Sequence, residues 1–171
     1  QAGETVVSRL GSPLLTVTGA TNVAIERLPF ACARGDGIRV SGGANVRIAG
    51  CVLHGLGMSG INVEGGRNHR VLSCDLHDLG ESGVSVSGGD RPTLEPAGHV
   101  VENCDIHHIS RICRTYRPAV GLQGVGNVAR RNHLHDGPHN AILMGGNDHV
   151  VEGNEIDRVC TQTGDAGAVY M

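Results

Sequence analysis

One tetrad returns along the chain at a fixed step, and this return constrains the fold more than any single residue does. Leu14-Leu15-Thr16-Val17, Gly37-Ile38-Arg39-Val40, Gly60-Ile61-Asn62-Val63 and Gly83-Val84-Ser85-Val86 follow one another every 23 residues without a gap. Later copies begin at Ala119, Ala141 and Ala168, so the step widens to 36, returns to 22 and ends at 27. Two more apolar alternations recur inside each period. One is Asn45-Val46-Arg47-Ile48; the other is Cys51-Val52-Leu53-His54, matched by Cys74-Asp75-Leu76-His77 and Cys104-Asp105-Ile106-His107. Alternation with period two is strand patterning, whereas a helical repeat would space its apolar residues near ~3.6. The Leu-x-x-Leu-x-Leu signature of leucine-rich repeats is missing. Three strands of about three to five residues per period, with glycine at the corners, describe one coil of a parallel β-helix. The expected fold class is all-β: a single-stranded solenoid of about seven coils, with about 23 residues per coil, forming a single domain over residues 1–171 with inserted loops within 90–118.

Composition agrees and excludes several functions. Glycine supplies 27 of 171 residues, more than twice the usual ~7%. With 14 Lys+Arg against 17 Asp+Glu the net charge is −3, which argues against a basic clamp, so no nucleic acid partner is expected. No apolar run approaches the ~20 residues of a membrane span, and no membrane partner is expected. The chain opens Gln1-Ala2-Gly3-Glu4 and closes on the strand-like Ala168-Val169-Tyr170-Met171. That reads as a piece of a longer chain, in which further coils or another copy cap the C-terminal edge.

Coils stack roughly 4.8 Å apart, so equivalent positions form columns. One inward column reads Leu28, Cys51, Cys74, Cys104, Asn132, Asn154; another reads Phe30, Leu53, Leu76, Ile106, Leu134, Ile156. The cysteines of the first column are expected as buried free thiols, since in-register stacking keeps their Cβ vectors parallel. The asparagines that end it are expected to form an amide ladder. A Cys113–Cys160 bridge requires the long loop before Ala119 to fold toward Cys160, and no Cys-x-x-Cys pair argues for structural zinc. His54, His77, His107 and His135 form one column continued by Asp157, and His69, His99 and His149 recur at another position; both sets read as structural. Glu102, Arg130 and Glu152 make a ladder of alternating sign. Asp75, Asp105, His133 and Glu155 share an outward column whose like charges need screening or a cation; calcium is conceivable there, although no metal ligand set is assigned.

The runs Asn132-His133-Leu134-His135-Asp136-Gly137-Pro138-His139-Asn140-Ala141-Ile142 and Gly146-Asn147-Asp148-His149-Val150-Val151-Glu152-Gly153-Asn154-Glu155-Ile156 resemble the right-handed parallel β-helix proteins of carbohydrate-active, pectate-lyase-like type. The closing Asp165-Ala166-Gly167-Ala168-Val169-Tyr170 is similar to an acidic-Gly-Ala-x-Tyr segment of that group. The resemblance implies a right-handed coil, a secreted or periplasmic protein, and a polysaccharide or oligosaccharide partner lying along the first strand and the turn before it. It also implies a choice among glycoside hydrolases, polysaccharide lyases and uronate epimerases.

The outward column of the first strand reads Arg39, Asn62, Ser85, Gly121, Leu143, Tyr170, a groove floor with Asn62 and Tyr170 as substrate-binding candidates. The preceding turn puts Glu81, Arg117 and His139 at one level, flanked by Tyr116 and Asp165, about 5–10 Å apart over one or two coils. That range suits an acid–base pair acting on a glycosidic bond. Asp165 is the leading catalytic candidate, as acid or base, with the second carboxylate from Glu81 or from Asp148, which could line the opposite wall. The second expectation is lyase or C5-epimerase chemistry with His139 as base, since Asp136-Gly137-Pro138-His139 is loosely similar to the Asp-Pro-His-Asp motif of alginate epimerases. There Arg111, Arg114 and Arg117 on the long loop would meet substrate carboxylates. A third expectation is a non-catalytic carbohydrate-binding or structural segment.

Overall fold

A computed structural model describes residue 11, residues 13–164 and residues 166–171. Nineteen short strands and no α-helix occur among them. They sort into three parallel sheets, each taking one strand from each coil. The first sheet stacks Leu15–Thr18, Ile38–Ser41, Ile61–Glu64, Val84–Gly88, Val120–Val125, Ile142–Asn147 and Val169–Tyr170. The second stacks Ala24–Glu26, Arg47–Ala49, Arg70–Leu72, Val100–Glu102, Val128–Arg130 and Val150–Glu152. The third stacks Pro29–Ala33, Val52–Leu56, Asp75–Leu79, Asp105–His107, His133–His135 and Glu155–Asp157. Registers follow the repeat: Ile38 lies opposite Ile61, Ile61 opposite Val84, Val84 opposite Val120 and Val120 opposite Ile142.

The corner between second and third strands shows why such short strands suffice. One left-handed residue per coil makes the bend: Arg27, Gly50, Ser73, Asn103, Arg131 and Gly153, with φ between 51° and 62°. Each non-glycine there costs some backbone strain, offset by the inter-coil bonds on either side. At the far end of the first sheet glycine is obligatory. Gly124 (φ 95°) carries its Cα so near the previous coil that an added Cβ would lie 1.9 Å from the Gly88 carbonyl oxygen.

The core is a set of columns. Leu53, Leu76, Ile106 and Leu134 are fully buried, as are Ile38, Ile61, Val84, Val120 and Ile142 on the facing sheet. Cys51, Cys74 and Cys104 are buried free thiols, each pointing its sulfur at backbone carbonyls rather than at a disulfide partner. Hydrogen bonding with the neighbouring Cys74 thiol, together with burial, raises the Cys104 thiol well above its ordinary value. Leu28, expected at the head of this column, is 48% exposed, because the described residues hold no coil beneath it. The asparagine ladder closes the other end. Asn132 accepts the Cys104 N–H at 3.0 Å on its Oδ1 and donates from Nδ2 to Val101 O and Asn154 Oδ1; Asn154 repeats the pattern toward Ala129.

A second polar column runs inside the corner before the second sheet. His69 Nδ1 accepts the Val46 N–H at 3.1 Å, His99 Nδ1 accepts the His69 N–H, Asn127 Oδ1 accepts the His99 N–H, and His149 Nδ1 accepts the Asn127 N–H. The His69 and His99 rings stack at 4.9 Å. Neither Nε2 has a hydrogen-bond partner, so burial decides the charge, and it holds both groups below the ordinary value, His99 at about 4.

Two outcomes follow from these columns. Cys74→Ser is expected to lower stability by about 1–3 kcal/mol in urea unfolding, since a hydroxyl enters a dry column, whereas Cys32→Ser at an exposed position changes it by far less. His99 binds a proton more readily unfolded than folded, so its contribution is complete above pH 6.5 and is lost as pH falls toward about 4, by up to roughly 3 kcal/mol. A His99→Asn chain should melt with a shallower dependence over that window, Asn127 having shown that asparagine fits the column.

Candidate functional site

Outward residues of the first sheet form a groove of about 350 Å³. Its floor is two adjacent columns. Asn62 and Ser85 lie side by side, followed by Gly121 and Leu143; Glu64, Ser87 and Gln123 run parallel to them two residues further along each strand. Gly121 keeps the floor open, since a Cβ there would meet Ser85 Oγ at a tight 3.3 Å. Gln123 reaches across the next coil and lies over Gly145. The floor thus offers amide and hydroxyl groups, with the carboxylate of Glu64 at one margin. At its near end Arg39 is drawn away by Asp36, a buried carboxylate that takes Arg39 Nη2 at 2.9 Å and the Ser59 N–H at 3.0 Å.

The wall is the long loop between the third and first sheets. Its backbone hangs on the preceding coil: the N–H groups of Ser110, Arg111 and Ile112 donate to the carbonyls of Glu81, Leu79 and Gly80. The Glu81 carboxylate secures the returning end, accepting Arg117 Nε at 3.0 Å on one oxygen and the Cys113 thiol at 3.6 Å on the other. The loop ends by presenting Tyr116, 53% exposed, edge-on to Tyr170 with ring centres 6.5 Å apart.

Four of the residues expected from the sequence therefore meet in one place: Glu81, Arg117, Tyr116 and Asn62 line the groove, with Tyr170 beside Tyr116 at its end. The others do not join them in the expected way. His139 is buried beneath the Tyr116 ring, its Nδ1 accepting the Tyr116 N–H at 3.4 Å and its carbonyl accepting the Cys160 N–H, which suits a packing residue better than a base reaching substrate. Asp148 occupies an exposed left-handed turn past the far end of its strand and is not among the groove-lining residues. Asp165 lies outside the described residues. Of the loop arginines, Arg117 answers Glu81 and Arg111 reaches Asp78 at 3.3 Å, so two of the three are paired within the chain. Cys113 and Cys160 are free thiols.

Gln123, Ser87 and Glu64 lie outside the first outward column that the sequence reading names; the strand period of two places i and i+2 on the same face and marks this second column. On the other side of the loop lies a larger cavity, about 640 Å³, lined by Arg34, Asp78, His108, Arg114 and Asp136 among others. It has no aromatic wall, and its carboxylates are taken by Arg111 and Arg158.

A family model described as a right handed beta helix region matches residues 13–96. No curated protein matches the chain, and neither does any solved structure. Because Glu81 serves as the loop's anchor, Glu81→Gln is expected to speed amide exchange across residues 110–117 while leaving the strands of the neighbouring coils unchanged, a contrast that exchange mass spectrometry reads directly.

Proposed function

Since the chain is a right-handed parallel β-helix protein, by its family match over residues 13–96 and by its three stacked parallel sheets, we propose that the first-sheet groove binds a polysaccharide or oligosaccharide outside the cytosol. The observation that carries this reading is the pairing of an uncharged hydrogen-bonding floor, Asn62, Ser85, Ser87 and Gln123, with the exposed Tyr116 and Tyr170 rings at its end. Sugars present both an apolar ring face and a fringe of hydroxyls, so they suit a site with aromatic faces and amide donors together. The columns run along the solenoid axis, and the five steps from Arg39 to Tyr170 span about 24 Å, room for several sugar rings.

Binding is favoured over turnover. Hydrolysis calls for two carboxylates about 5–9.5 Å apart across the scissile bond. Glu81 is held by Arg117 and Cys113, so a hydrolytic reading rests on Asp165. The lyase and epimerase readings lose support from the burial of His139 and the internal pairing of Arg111 and Arg117.

The test is a panel of neutral and uronate polysaccharides, scored for binding by affinity electrophoresis and for turnover by reducing ends and unsaturated uronate absorbance. Binding without turnover is the expected outcome. Tyr116→Ala should weaken it about five- to tenfold, roughly 1–1.4 kcal/mol. Turnover abolished by Asp165→Asn would install the hydrolase reading instead, and equal binding by wild type and Tyr116→Ala would remove the groove from the account.

A further inference from the structure

The outward face of the third sheet, remote from the groove, carries a double ladder of titratable side chains. Positions i and i+2 of each strand face the same way, so the coils contribute Asp75 with His77, Asp105 with His107, His133 with His135, and Glu155 with Asp157. The sequence reads these as two separate columns, a structural one of histidines and an acidic one that needs screening or a cation. The structure joins them at the second and third of these coils, where His133 and His135 both face Asp105.

His135 is oriented from behind. Its Nδ1 lies 2.6 Å from Asp136 Oδ2, and Asp136 also accepts Arg158 Nε at 2.7 Å and Nη2 at 2.9 Å. Arg158 Nη2 is itself 3.1 Å from Nδ1, but a carboxylate oxygen at 2.6 Å requires a proton between it and the ring nitrogen. Asp136, taking two guanidinium N–H groups, leaves that proton on Nδ1. The lone pair of His135 is thus on Nε2, which faces Asp105 Oδ1 at 3.0 Å.

His133 mirrors this arrangement. Its Nε2 lies 3.3 Å from Asp157 Oδ2, and its Nδ1 lies 3.4 Å from the same Asp105 Oδ1. With Nε2–H directed at Asp157, the Nδ1 lone pair also faces Asp105. Two imidazole lone pairs and a carboxylate oxygen therefore converge on one point.

We propose that Asp105, His133 and His135 bind a divalent transition-metal ion, zinc being the natural probe, through Asp105 Oδ1, His133 Nδ1 and His135 Nε2. These three ligand atoms lie within 4.8 Å of one another. A tetrahedral ion with bonds of about 2.0–2.1 Å has ligand–ligand edges of about 3.3–3.4 Å, and the two edges at Asp105 measure 3.0 and 3.4 Å. Both ligating imidazoles hand their other N–H to a carboxylate, His135 to Asp136 and His133 to Asp157, which is the usual outer partner of a metal-bound histidine. Nitrogen donors favour a transition ion over the calcium that the acidic column alone suggested. The fourth position faces solvent, since the Asp105 side chain is half exposed, leaving room for water or a ligand.

The experiment uses the full chain without a polyhistidine tag, titrated with zinc by calorimetry, with cobalt substitution read by its visible absorption. One ion per chain and a tetrahedral cobalt spectrum are expected. His135→Ala should remove both. Asp136→Asn touches no ligand atom and should weaken zinc about 10- to 100-fold. His54→Ala, in the same histidine column but far from the cluster, should bind as wild type does. Circular dichroism melts check each variant, and His133→Gln stands in if His135→Ala fails to fold. Absence of stoichiometric zinc, or equal affinity for His54→Ala and His135→Ala, would overturn the proposal.

Discussion

Everything in this molecule depends on the parallel backbone hydrogen bonding that locks each coil onto the next in fixed register. The bonds run from Ile38 N to Gly60 O, from Ile61 N to Gly83 O, from Val84 N to Ala119 O and from Val120 N to Ala141 O, repeating through coils of unequal length. The 13 extra residues of the fourth step change none of these pairings, because they leave as loops and return to the same level. Each residue therefore has as its neighbours the residues at the same position one coil above and below. A side chain must be compatible with its own kind or with a chosen complement. Aliphatics satisfy this trivially, asparagine does so by amide bonding, and histidine by ring stacking, as in His54, His77 and His107 at 5.1 Å spacings.

Charge is the difficult case, and the structure handles it differently on each face. On the second sheet Arg130 sits between Glu102 and Glu152, reaching Glu102 at 2.9 Å, and Glu102 is held below the usual carboxylate range chiefly by that hydrogen bond. On the third sheet no arginine occupies the ladder; acid and histidine share a strand in two coils, and a histidine pair then separates them from an acidic pair. The first sheet avoids charge over most of its outward floor, using Asn62, Ser85, Ser87 and Gln123. One backbone rule thus yields three chemically distinct faces, a groove floored mainly by neutral hydrogen-bonding side chains, a salt-bridged flank and a histidine–carboxylate grid.

The columns were legible in the sequence because register depends only on local signals: period-two alternation, glycine at corners, and the return of the tetrad. Cys51 over Cys74 over Cys104, and His77 over His107 over His135, follow from counting along the repeat. Contacts that cross from one column to another were not legible. The grip of Arg117 on Glu81 depends on the path of an insertion with no counterpart in other coils. The burial of His139 depends on where Tyr116 comes down. The convergence of His133 and His135 on Asp105 requires side-chain directions and the Arg158–Asp136 pair one turn away, none of which a column count contains. Asn127, which replaces histidine in the corner column, became recognisable only through the backbone N–H it accepts.

The central claim is that column position dictates the hydrogen-bonding role of each side chain, and histidine tautomers report it without intermediary. Long-range nitrogen–proton correlation spectra of the histidine-labelled protein, recorded near pH 8, distinguish protonated Nδ1 from protonated Nε2 for each ring. His69, His99 and His149 should carry the proton on Nε2, since each accepts a backbone N–H at Nδ1. His77 and His135 should carry it on Nδ1, which faces Asp78 at 3.0 Å and Asp136 at 2.6 Å respectively. A spectrum with the corner histidines protonated at Nδ1, or with all rings in one averaged state, would contradict the claim.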